Sequence, residues 1–137
     1  MSACCAAPAL PRLAPWTCFE RGLQTLRLPP LPLAGEPVAG AGERWARFSV
    51  QLRGERVHDL RFACIRCTTL VACCQALVEL NRGCALHAPR VHEARELLTR
   101  LPGLPAGQQA CAALAAAALR AALQAARSST PGTKELP

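Results

Sequence analysis

Trp45-Ala46-Arg47-Phe48-Ser49-Val50-Gln51-Leu52-Arg53, then Gly54-Glu55, then Arg56-Val57-His58-Asp59-Leu60-Arg61-Phe62-Ala63-Cys64 is the stretch that decides the fold. In its first part Phe48, Val50 and Leu52 alternate with polar neighbours, the period of a strand buried on one face. Gly54-Glu55 supplies a turn, and Val57, Leu60 and Phe62 are the apolar landmarks of a second extended run. Two such runs with a short glycine-containing connection predict a β-hairpin.

Downstream the period changes. Leu70, Val71, Cys74, Leu77, Val78 and Asn81 fall at i, i+1, i+4, i+7, i+8 and i+11, which predicts an amphipathic helix closing at Gly83. Val91, Ala94, Leu97, Leu98 and Leu101 mark a second helix, with Glu96 and Arg100 at a supportive i, i+4 spacing. Residues 101–107, with two prolines and two glycines, break it. An alanine-rich third helix runs from about Gln108 to Arg127, with Leu114, Leu119 and Leu123 as its large core residues. Grouped strands followed by grouped helices predict an α+β fold: a small antiparallel β-sheet, the hairpin, with helices packed on one face.

Upstream, residues 1–42 are rich in proline and glycine, with little periodicity. A short helix is expected from Arg21 to Leu28, ended by Pro29-Pro30; the rest reads as loop, and Met1 to Trp16 as a loose tail. The expected organisation is a partly flexible N-terminal segment over 1–42, a domain over 43–127, and a C-terminal tail over 128–137 that frays.

Composition narrows the function. The 137 residues are 51% hydrophobic but include only two Trp, three Phe and no Tyr, so the core must come from Leu, Val and Ala. The net charge of +7 is carried by fifteen Arg and one Lys spread along the chain, without the aromatic stacking motif of a nucleic-acid module. Nucleic acid is not an expected partner. No apolar run reaches the roughly 18 residues a membrane span needs, and no basic segment precedes the apolar start, so neither membrane nor export is expected. The expected location is cytoplasmic. Nine cysteines, an odd count without an export signal, then point to reactive thiols, metal ligands or packing.

Position separates those roles. Cys67 follows the second strand just before the Leu70 helix, and Cys111 lies in the first turn of the last helix. Free amides and the macrodipole at a helix start favour a thiolate, so these are the two candidates for chemistry, with gap-filling as the plainer alternative. Cys74 lies seven residues beyond Cys67, roughly 10 Å along a helix, too far to share one metal, and reads as core. Cys73 points elsewhere, to surface or contact. Cys64 and Cys67 form a Cys-x-x-Cys pair with no second pair to complete a zinc ribbon. Cys4, Cys5, Cys18 and Cys84 fall in tail or loop, and His58, His87 and His92 lack ligand spacing. With no glycine-rich phosphate loop, no Ser/His/Asp set and few acids, the chain does not read as an enzyme.

The order of these parts resembles the NifU/IscU-type iron–sulfur scaffolds. Val57-His58-Asp59-Leu60-Arg61-Phe62-Ala63-Cys64-Ile65-Arg66-Cys67 is similar to that family's I-x-D-x-x-F-x-x-x-G-C, and Thr68 to Glu79 to its small-residue helix ending in Glu. Leu104-Pro105-Ala106-Gly107-Gln108-Gln109-Ala110-Cys111-Ala112-Ala113-Leu114-Ala115 is similar to its L-P-P-V-K-x-H-C-S-x-L-A. The resemblance runs from about residue 41 to residue 124 and implies a SufE/NifU-like fold. It implies that Cys67 and Cys111 hold iron, zinc or a nascent [2Fe–2S] cluster. The implied partners are a cysteine desulfurase and iron–sulfur recipient proteins.

The family's C-G-D falls on Ala41-Gly42-Glu43, so one ligand cysteine is absent and Glu43 stands where the Asp would be. Cys64 is the candidate replacement, should the Cys-x-x-Cys segment leave strand geometry. Gln108 replaces the Lys of the chaperone-recognition stretch, and docking of a dedicated chaperone is therefore not expected. Three readings compete: a scaffold or carrier of metal or cluster, a SufE-like persulfide acceptor, and a degenerate paralogue that only binds a protein partner.

Overall fold

The computed structural model describes residues 12–104 and 108–129; Cys4, Cys5, residues 105–107 and the end of the tail lie outside them. The fold is α+β. The predicted hairpin is present as β3 (Trp45–Arg53) and β4 (Arg56–Cys64), following the short strands β1 (Leu33–Ala34) and β2 (Val38–Ala39). Gly54 takes φ 65° in the turn, a left-handed conformation that glycine adopts without a Cβ clash. Phe48 pairs with Phe62, Val50 with Leu60 and Ala46 with Cys64, so one face of the hairpin is continuously apolar and buried.

Strands β1 and β2 both run antiparallel to β3 along its other edge, Leu33 opposite Val50 and Val38 opposite Ala46. Together they act as one edge strand interrupted at Gly35-Glu36-Pro37, which makes the sheet three strands wide. The sequence reading places loop here. Two-residue strands carry no visible alternation, and Pro37 cannot donate to a ladder, so a proline break is what the sequence displays. Gly35 sits in the interruption for a steric reason: a Cβ there would lie 2.7 Å from both the Cα and the N of Ala122. Those are backbone atoms with no room to yield. Gly35→Ala is expected to destabilise the fold by about 1–3 kcal/mol, as overpacking does. Chemical denaturation measures it; an unchanged midpoint would mean that strand and helix do not approach so closely.

Among the described residues four helices complete the fold: α1 (Pro15–Leu26), α2 (Thr68–Asn81), α3 (Ala94–Arg100) and α4 (Gln109–Ser129). Helix α2 is not amphipathic as its spacing predicts. Eleven of its fourteen residues are buried, because the sheet, α1 and α4 all cover it. Helix α4 is 21 residues, long and apolar enough by composition to cross a membrane, contrary to the sequence expectation. Ten of its residues are buried, among them Leu114, Leu119 and Leu123, which is the pattern of a core helix.

Helix α1 is the main departure from the sequence reading, starting six residues before the predicted Arg21. Pro15 occupies the first turn, where its missing N–H costs nothing. Cys18, Gly22 and Thr25 form the buried face. A Cβ on Gly22 would lie 2.5 Å from Val71 Cγ1, so glycine permits the close approach to α2. Thr25 Oγ1 donates to Gln75 Oε1 (2.7 Å), Gln75 Nε2 to Glu79 Oε2 (2.9 Å), and Arg21 pairs with Glu79 (2.7 Å). This polar ladder fixes the register of α1 on α2.

Candidate thiol site

Hydrogen bonding from β4 to β3 continues one residue past the strand, Ile65 N donating to Trp45 O at 3.2 Å. Arg66 and Cys67 then leave the sheet. Cys67 is the residue before the first turn of α2, extended at φ −128° and ψ 124°, half-buried, with its thiol making no capping bond. Cys111 is the third residue of α4 and is fully buried. Its thiol donates to Gln108 Oε1 at 3.4 Å.

The two thiols meet. Burial pushes the Cys111 thiol up, and negative charge on the neighbouring Cys67 pushes it further; the Arg44 guanidinium opposes both. This reverses the expectation of an accessible, acidified thiol at a helix start. The fractional charge of a helix end is felt only within the first turn, whereas desolvation of a buried thiolate is a larger cost.

The third arm of the site is the turn Ala41–Glu43, where Gly42 and Glu43 take φ 66° and 63°. For Glu43, a left-handed backbone costs about 1 kcal/mol or more. Gly40 packs against Leu114, one turn beyond Cys111, and Arg44 lies within electrostatic reach of Cys111. The turn aligned with the absent ligand therefore borders the thiol pair. The Glu43 carboxylate is exposed and makes no hydrogen bond or ion pair with a described residue.

Cys64 turns inward instead. It stays in register with Ala46 as the last residue of β4, so the strand geometry is not left until after it. The Cys74 thiol donates to it, which lowers the Cys64 pKa, while burial raises Cys74 well above the usual thiol range. Cys67 and Cys111 are thus brought together; Glu43 and Cys64 are not gathered with them into one ligand set. Among the described residues no group of three or more His, Cys, Asp or Glu is arranged to hold a metal ion.

Sequence reasoning missed three participants. Cys73 is fully buried, not surface, and is raised by burial and then by Cys111, Cys67 and Cys18. Cys18 lies in α1, not in a loop, pushed up to about 11 by burial and then by Glu79. Arg44 carried no motif at all. Six of the seven described cysteines therefore share one thiol-rich region, with Cys84 apart.

Buried thiols set an alkaline limit on stability. Cys18, Cys73 and Cys74 keep their protons in the folded chain well above the value near 8.5 of an unfolded thiol. Their contribution is complete below about pH 8.5 and is lost as pH rises towards the folded values, by up to about 1.4 kcal/mol per pH unit for each thiol. Denaturation under reducing conditions at pH 7.5 and pH 9.5 is expected to show a lower midpoint at the higher pH. Equal midpoints would mean that these thiols are not shielded from water.

The family model described as the NifU-like N terminal domain matches residues 34–130. No curated protein sequence matches the chain. Twenty-five chains of solved structures match it. One, described as the crystal structure of a hypothetical protein, is 16% identical with a TM-score of 0.51, covering 77% of this chain and 96% of that one.

Proposed function

The chain belongs to the NifU-like N-terminal domain family, and from that premise we propose that it is an iron–sulfur assembly scaffold or carrier whose cargo is held by Cys67 and Cys111. The observation that carries this is the meeting of those two thiols, from separate helix starts, beside the 40–44 turn. Soft thiolates suit iron, zinc and [2Fe–2S] cargo alike. Binding displaces the thiol protons, Arg44 favours the Cys111 thiolate, and Gln108 gives up its hydrogen bond. With Ala41 in the family's first ligand position, the protein supplies few donors of its own. That suits transient holding and handover to a recipient protein. The chain turns over no small substrate, and a cysteine desulfurase is the expected sulfur donor.

One observation favours a second reading. No three-donor group exists among the described residues, and half-buried Cys67 is open to attack. As a sulfur acceptor, the Cys67 thiolate would attack the outer sulfur of a desulfurase persulfide, forming its own persulfide and releasing the desulfurase thiolate. Anaerobic reconstitution of the wild-type chain with ferrous iron and sulfide separates the two. Visible cluster absorption with stoichiometric iron supports the scaffold. Absence of bound iron, with persulfide on Cys67 after incubation with desulfurase and cysteine, supports the acceptor.

A further inference from the structure

Away from the thiols, α4 and the 86–92 segment enclose an open groove of about 710 Å3. Arg120, Gln124 and Arg127 line it at i, i+4 and i+7, one face of α4, with His87 and His92 opposite and no carboxylate among the described lining residues. Arg120 Nη1 donates to His92 O (2.7 Å) and Arg127 Nη2 to Leu86 O (3.1 Å). The guanidiniums are thus anchored by backbone carbonyls, which hold them in place without neutralising them. The ion pairs among the described residues are Arg21–Glu79, Arg61–Asp59 and Arg82–Asp59, none of which reaches the groove. Two polar atoms here, Arg127 Nε and His92 Nδ1, are buried without a hydrogen-bond partner among the described residues. The arginines are separated by roughly 10 Å along the helix axis.

We propose that this groove binds a small molecule bearing at least two oxyanionic groups, phosphate or carboxylate. Two anchored guanidiniums spaced along one wall match two anionic groups, since arginine's planar fork is suited to both kinds of oxyanion. The imidazoles and Gln124 add hydrogen-bonding groups between the two arginines. The shape is concave, which distinguishes the site from the scattered surface arginines that give the chain its overall charge.

Titration calorimetry with tripolyphosphate and with citrate, at about 150 mM salt to screen diffuse attraction, tests it. Saturable one-to-one binding of either probe is expected, and which of them binds distinguishes a phosphate from a carboxylate ligand. Arg120→Gln, at an exposed position, should weaken binding by about tenfold or more, and Arg120→Lys should restore part of the loss. Arg53→Gln, outside the groove, makes the same change in net charge and should leave the affinity unchanged. Binding that is absent for both probes, or weakened as much by Arg53→Gln as by Arg120→Gln, overturns the proposal.

Discussion

Cys67→Ser and Cys111→Ser are each expected to abolish retention of iron or cluster, lowering apparent affinity by at least about a hundredfold, because a serine hydroxyl stays protonated where a thiolate ligand is needed. Either change removes half of a pair that the structure brings together across two elements. Both positions tolerate a smaller polar side chain better than most, since one is half-buried and the other makes a hydrogen bond to Gln108 that a hydroxyl can reproduce. Cys84→Ser, remote from the pair, should load normally. Because the Cys111 thiol is held above its ordinary pKa, protons compete with cargo across neutral pH. Affinity should therefore rise with pH, by about tenfold per unit for each proton displaced. Iron content after gel filtration, measured at pH 7 and pH 8, reads both effects. Full loading of either serine variant would remove that cysteine from the site.

The second large effect lies in the scaffold. Asn81, at the end of α2, is 1% exposed and uses its whole amide. Nδ2 donates to Leu77 O (2.9 Å) and Val91 O (2.7 Å), while Oδ1 accepts from Arg90 N (2.8 Å) and Val91 N (3.0 Å). This one side chain pins the 86–92 segment to the central helix. Asn81→Ala leaves buried backbone groups of Val91 without partners, and each such group costs about 1–3 kcal/mol. A total near 3 kcal/mol is expected, a large share of the roughly 5–15 kcal/mol that holds a domain together, and Tm should fall by about 10 °C. A loss under about 1 kcal/mol would mean that the segment is held by its other contacts.

What could be read from the sequence follows from the range of the physics involved. The hairpin was legible because the side-chain period of two at Phe48 and Val50 is local and strong. Helix α4 was legible because its leucines recur on one face. Helix α1 was not, since Pro11 and Pro15 look like breakers unless the first-turn position of Pro15 is known. The interrupted edge strand was not, because its two-residue pieces carry no period of their own and are held only by pairing with β3. The thiol site shows the same division. Cys67 and Cys111 were legible from helix starts and from the family pattern, but their meeting is tertiary. Burial then decided the protonation of Cys111 against the helix end, and it carried Cys73 and Cys18 into the same region. Arg44 and Gln108 act only through that proximity, so no spacing in the sequence marks them.

The most direct test of the account is the alkylation of Cys67 in the wild-type chain before and after anaerobic loading with iron and sulfide, read by peptide mass spectrometry beside the iron content. The account predicts that Cys67 reacts readily in the empty protein and is protected once iron is bound, with labelling of Cys84 unchanged. Bound iron with Cys67 still freely alkylated, or no bound iron at all, would contradict it.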